Sequence, residues 1–220
     1  MKKIILLPLV AVLFSSFNLK KKELLKKKEF IGKITYSIDT YSKKPDIISQ
    51  NRLASLYGDK MIIYIKKGDI LRDYNGLDIS KVYILKSTNK EYSKRNHVDS
   101  LYVMSLDSSA EKLISMKKRD SVFVIARHPC QSLIIETGNS PTHTFRNTYY
   151  YDKDLYVDPS DYKNRKFGYT NLYYETAKAQ WLKYVLETEN CIITYTAIEI
   201  EETDVDDSMF VVPNFPKTHW

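Results

Sequence analysis

The chain has 220 residues, of which 43% are hydrophobic and 13% aromatic. That composition excludes a disordered protein and provides enough apolar material for one sizeable core. The formal net charge is +7, but without Lys2, Lys3 and the run Lys20 to Glu29 it falls to about +1. The basicity therefore belongs to a tail, which argues against a nucleic-acid groove. Eighteen Tyr against six Gly suits strands with one face on water.

The chain opens on Met1-Lys2-Lys3, an apolar run from Ile4 to Phe14, and Ser15-Ser16-Phe17-Asn18. A positive start, a short apolar stretch and small residues after it are the marks of a secretory signal peptide over residues 1–18. The run is shorter than the ~20 residues a helix needs to cross a bilayer. The expected location is therefore outside the cytoplasm, in the periplasm or associated with the outer membrane. Lys20 to Glu29 holds six Lys and two Glu. Positive charge behind an apolar run tends to stay cytoplasmic, so a retained signal anchor is the alternative to cleavage. Residues 19–29 read as a Lys-rich tether, or as a patch that touches anionic headgroups.

Residues 30–220 read as a single β-rich domain. From Phe30 to Tyr41, Ile34, Tyr36 and Ile38 alternate with Lys33, Thr35, Ser37 and Asp39, the pattern of a half-buried strand. Ser42 to Ser49, with Pro45, is a loop. Lys60 to Lys66 and Ile70 to Tyr74 form a hairpin about Lys67-Gly68-Asp69. Lys81 to Lys86 and Glu91-Tyr92 continue the meander, and Leu101 to Leu106 is a further strand. Asp107-Ser108-Ser109-Ala110-Glu111 has the chemistry of a helix start and predicts a short helix ending by Lys118. Val122 to Ala126, Ser132 to Thr137, Thr144 to Tyr151 and Leu155 to Val157 are strands, with a turn at Asp152-Lys153-Asp154. Asn171 to Gln180 suits a helix. Leu182 to Glu187 and Cys191 to Glu202 make a closing hairpin. About ten strands with one or two helices predict a mainly β (α+β) fold, an antiparallel curved sheet or open half-barrel.

The two cysteines, Cys130 and Cys191, invite a disulfide in an exported protein; two unrelated buried thiols are the alternative. His128, Cys130 and His143 offer too few ligands at convergent spacing for zinc. Asp152, Asp154, Asp158 and Asp161 cluster about a turn but lack the pattern of a calcium loop. The acidic run Glu199, Glu201, Glu202, Asp204, Asp206 and Asp207 reads as a solvated rim or a partner for the Lys tail. No Gly-x-Ser-x-Gly and no phosphate-cradling Gly-rich loop is present. The sequence points to no catalytic residue, no metal and no cofactor.

The order of elements resembles a group of exported Bacteroidetes-type proteins, the DUF4412 and GLPGLI-like families. Phe30-Ile31-Gly32-Lys33-Ile34-Thr35-Tyr36 resembles their first strand. Lys60-Met61-Ile62-Ile63-Tyr64-Ile65, followed by Gly68-Asp69 and Ile70-Leu71-Arg72, resembles their second hairpin. Val124 to Cys130 stands where they carry a Gly-x-x-Cys-like turn, with Ala126 and Arg127 in place of small turn residues. Ile192 to Ala197 and Val205 to Phe210, through Pro213, resemble their end. The resemblance implies a fold similar to the LolA/LolB/RseB group of periplasmic lipid or lipoprotein handlers, an open half-barrel with helices on its concave face.

The expected function is that of a non-enzymatic envelope protein binding a lipid, lipoprotein or other amphipathic partner in that concavity. Ile63, Ile65, Val124, Tyr150 and Tyr195 are the expected lining. The alternatives are a protein-interaction or structural module, using an edge strand or the Tyr-rich face, and a hydrolase whose site carries no recognised motif.

Overall fold

A computed structural model describes residues 27–140 and 143–219. The leader expected over residues 1–18 and tether residues 19–26 lie outside the described residues.

The first meander comprises β1 (Gly32–Ser42), β2 (Lys60–Lys66), β3 (Asp69–Tyr74), β4 (Ile79–Leu85), β5 (Lys90–Arg95) and β6 (Leu101–Ser105). The chain then crosses to the opposite edge of the sheet. A second meander runs back through β7 (Lys112–Ile125), β8 (His128–Ser140), β9 (His143–Tyr156), β10 (Ala179–Glu187) and β11 (Cys191–Glu202). β11 pairs antiparallel with β1 and joins the two meanders. β12 (Lys217–His219) adds a short parallel strand outside β6, so the sheet has 12 strands with β12 and β7 at its edges.

Alternation dictates the inner face. Ile34, Tyr36 and Ile38 of β1, and Met61, Ile63 and Ile65 of β2, are all buried in one cluster. The β2–β3 connection is a two-residue turn with Lys67 at φ 48° and Gly68 at φ 88°. Such primed turns match the twist of the flanking strands, and glycine reaches that region without steric cost. The β7–β8 connection uses the same device with Ala126 (φ 48°) and Arg127 (φ 70°).

Two helices form, α1 (Gln50–Tyr57) and α2 (Thr170–Ala177). α2 falls where a helix is expected over Asn171 to Gln180, but it ends at Ala177, and Ala179 and Gln180 already belong to β10. α1 has weak periodicity, burying only Leu53, and is started by Ser49, whose Oγ accepts from the Arg52 N–H at 3.2 Å. The short helix expected from Asp107 to Lys118 is not there: Asp107 to Glu111 are irregular, and Lys112 to Lys118 enter β7, a 14-residue strand paired along β8. The local cap signal loses because β8 offers a long ladder, and Ile114, Val122 and Val124 suit a strand better than a helix. The turn expected at Asp152-Lys153-Asp154 is likewise absorbed into β9.

The segment between β9 and β10 carries two short 3₁₀ turns (Pro159–Asp161 and Phe167–Tyr169) and α2. Its Tyr162, Tyr173, Tyr174 and Ala177 enter the main core. A second, smaller core lies on the opposite face of β3–β6, where Leu71, Tyr83, Tyr92 and Val103 are covered by Val205 and Phe210 of the C-terminal segment. Burying such side chains contributes roughly 1.5–3 kcal/mol each. The acidic run is split between these roles. Glu202 pairs with Lys28 at 2.9 Å and Glu201 with Lys33 at 2.8 Å, while Asp207 reaches Lys66 at 2.8 Å.

The expected Cys130–Cys191 disulfide is not formed; both thiols are free. Cys130 sits near the turn end of β8 opposite Phe123, whereas Cys191 opens β11 opposite Ser42. Two strands, β9 and β10, intervene, and the strand offset adds to a separation on the order of 20 Å. A bridge needs Cα atoms within about 7 Å.

Candidate functional site

A cavity of about 350 Å³ lies inside the curve of the sheet. Ile70 and Arg72 of β3, Ile84 of β4 and Glu91 of β5 form one wall. Asn147 and Tyr149 of β9, with Trp181, Tyr184 and Leu186 of β10, form the other. The helical insert closes the remaining side with Arg165, Tyr173 and Tyr174. In a flat sheet β4 and β9 would stand roughly 30 Å apart, at ~4.8 Å per strand. That they share one cavity shows how strongly the sheet is curved.

The β9–β10 wall is built from rings. Tyr149 stacks on Tyr173 (centroids 4.3 Å) and on Tyr184 (4.9 Å), and Trp181 lies 4.6 Å from Tyr36. Such contacts add to the burial of aromatic area. Their polar ends are held within the protein. The Tyr184 hydroxyl donates to Asn147 Oδ1 at 2.7 Å, Tyr173 to the Ala179 carbonyl at 3.0 Å, and Tyr36 to the Trp181 carbonyl at 2.7 Å. Burial pushes the Tyr149 and Tyr173 phenols well above their ordinary value, so both stay neutral at neutral pH.

Two guanidinium groups break this apolar surface. Arg165 is buried; its Nη2 donates to the Gly68 carbonyl, and its Cζ lies 4.6 Å from the centre of the Tyr162 ring. Arg72 is half-buried on β3. The Nε of each has no protein acceptor. A second hollow of about 390 Å³ opens toward the β10–β11 turn, with Lys43, Glu136, Arg146 and Glu187 in its wall; Phe145 lines both spaces.

None of the five expected lining residues borders the cavity. Ile63 and Ile65 are fully buried in the main core. Tyr195 is buried behind Tyr184 and Trp181, with ring centroids 5.8 and 6.2 Å away. Tyr150 faces the other side of β9, in edge contact with Phe123 at 5.0 Å, and Val124 is 75% exposed on β7. For Tyr150 alone, a residue that borders the cavity, Tyr149, is one step away in the sequence. Asn147, Tyr149 and Tyr151 share the inner face of β9 by simple alternation, and Tyr150 cannot join them. Arg72 and Arg165 carry no sequence signal as site residues.

The candidates for other chemistry do not converge. His128 Nδ1 meets Asp152 Oδ2 at 2.8 Å, while His143 lies at the far end of the β8–β9 hairpin beside Phe145. The Asp158 carboxylate accepts from the Ser160 N–H at 2.9 Å, and Asp161 pairs with Lys86 at 2.6 Å. Among the described residues no group of three or more His, Cys, Asp or Glu is arranged to hold a metal ion. Nor is any helix among them long and apolar enough to cross a membrane.

No family profile matches the chain, and no curated protein matches it. Among solved structures it is similar to LprF from Mycobacterium bovis, with a TM-score of 0.33 and 7% identity over 80% of this chain and 88% of that one. The strand order, and not this likeness, defines the open, curved antiparallel architecture.

Proposed function

We propose that this is a non-catalytic binding protein of the cell envelope that takes an amphipathic molecule, a lipid or part of a lipoprotein, into the concave face of its sheet. The observation that carries the reading is the cavity itself, walled largely by aromatic and aliphatic side chains from both meanders, with the charged groups of Arg72, Glu91, Glu111 and Arg165 among them. Ligand sites are concave and mostly apolar, with a small number of placed polar groups and volumes of roughly 300–1,000 Å³. The leader-like start of the sequence supports export. Native mass spectrometry of the full chain purified from an envelope extract of its host tests the reading. A bound species in the lipid mass range, released on denaturation, is expected; a clean protein mass, unchanged after incubation with host lipids, counts against it.

One observation favours a second reading, an interaction module. β7 presents an unpaired outer edge 14 residues long, with Val122 66% and Val124 75% exposed. Such an edge is a template for strand addition by another chain. A co-purifying protein, lost when proline is placed on β7, supports it.

A further inference from the structure

Arg72 and Arg165 border the same cavity, and among the described residues neither forms an ion pair with a carboxylate. Arg165 is only 4% exposed. One of its N–H groups is used by the Gly68 carbonyl, which ties the insert to the β2–β3 turn. Its Nε, like that of Arg72, is left without a protein acceptor. Taking a guanidinium out of water without a paired anion is costly, and a second one in the same space adds repulsion. The two feel each other: Arg72 acts against the protonation of Arg165, after the larger effect of burial.

Two carboxylates, Glu91 and Glu111, also border the cavity and balance its formal charge, but among the described residues neither is within ion-pair distance of Arg72 or Arg165. Glu91 acts on Arg72 through space, but its Oε1 accepts from Ser93 Oγ at 3.2 Å. Glu111 accepts from Ser109 Oγ at 3.0 Å. A planar fork of donors is matched by the oxygens of a carboxylate or a phosphate. The rest of the wall, from Trp181 and Tyr149 to Ile70 and Ile84, suits a hydrocarbon chain. Resting on the cavity reading above, we infer that the ligand is a single-chain amphiphile with an oxyanion head, carboxylate or phosphate, which Arg165 and Arg72 hold while its tail lies along the aromatic wall.

The test is calorimetric titration of the full chain with tetradecanoate, tetradecyl phosphate and tetradecanol, each below its micelle concentration. At least one oxyanion is expected to bind ten-fold or more tighter than the alcohol. The oxyanion that binds tighter names the head group. Arg72→Gln and Arg165→Gln should each lower oxyanion affinity about ten-fold and leave the alcohol unchanged. Arg165→Gln also removes the bond to Gly68; Arg72→Gln leaves that bond in place, so it keeps the test decisive if the other variant unfolds. Equal affinity for oxyanion and alcohol overturns this inference and leaves the cavity reading standing. Tight oxyanion binding untouched by Arg72→Gln places the anion elsewhere, on the Lys-rich tail for example, and also overturns it. Failure of all three probes to bind overturns the cavity reading itself.

Discussion

β7 and β9 are both 14-residue strands bearing apolar and aromatic side chains, and they meet opposite fates. β9 lies between β8 and β10, and the insert carrying α2 covers its inner face; Tyr149 is 6% exposed and Tyr151 not at all. β7 has one neighbour and no cover, so Val122, Phe123 and Val124 remain 41–75% exposed. Composition does not distinguish the two. What buries a strand is the presence of partners on both edges and a layer across one face, and the order of strands in the sheet decides that.

The contrast predicts a sharp asymmetry, with the largest effect set by pH. Burial raises the Tyr36, Tyr149, Tyr173 and Tyr195 phenols well above their ordinary value. Above about pH 10 the unfolded chain releases phenolic protons that the folded chain retains, so the unfolded state binds fewer protons and stability falls as pH rises. The contribution is intact below about pH 10 and is lost from there upward. Cooperative alkaline unfolding is therefore expected, followed by circular dichroism together with phenolate absorbance. Ionisation of these phenols while the fold persists would contradict their burial.

Next in size is truncation on the two strand types. Trp181→Ala removes a 5% exposed ring packed on Tyr36, Tyr184 and Tyr195, and should cost about 3–5 kcal/mol. Val124→Ser, on β7, should change stability by no more than about 0.5 kcal/mol. Urea unfolding of the two variants measures both, and similar losses would break the comparison. Smallest is a pair of hydroxyl deletions within the insert. Tyr173→Phe removes the bond to the Ala179 carbonyl and should cost about 1 kcal/mol. Tyr162→Phe removes a buried hydroxyl with no protein partner and should be neutral or mildly stabilising. Loss of stability in Tyr162→Phe equal to that in Tyr173→Phe would show that the Tyr162 hydroxyl is satisfied.

Much of the sheet is legible in the residues. The alternation of Ile34, Tyr36 and Ile38, the hairpin about Gly68 and the closing pair Leu182 to Glu187 with Cys191 to Glu202 all appear as strands. Period-two patterning and turn chemistry are local, and local signals survive into the fold. Where the signal was a cap without a periodic face behind it, as at Ser108 and Ser109, the long ladder with β8 overrode it. α1 escaped notice for the reverse reason: with only Leu53 buried, it has almost no apolar face to read.

The candidate site was less legible. A dense run of Tyr marks the right stretch of chain, but a shift of one residue exchanges the inner face of a strand for the outer. That shift separates Tyr150, which faces away, from Tyr149, which borders the cavity. The sequence by itself determined the class of fold, the strand-rich meanders and the surplus of aromatic residues, because each follows from spacing and composition over a few neighbours. Only the tertiary structure decided that β11 joins β1, that β3–β5 and β8–β10 face each other across one cavity, and that Arg72 and Arg165 meet there. Residues 93 positions apart come to border one cavity because the sheet curves and the β9–β10 insert folds back onto the β2–β3 turn, and no short window of sequence contains that information.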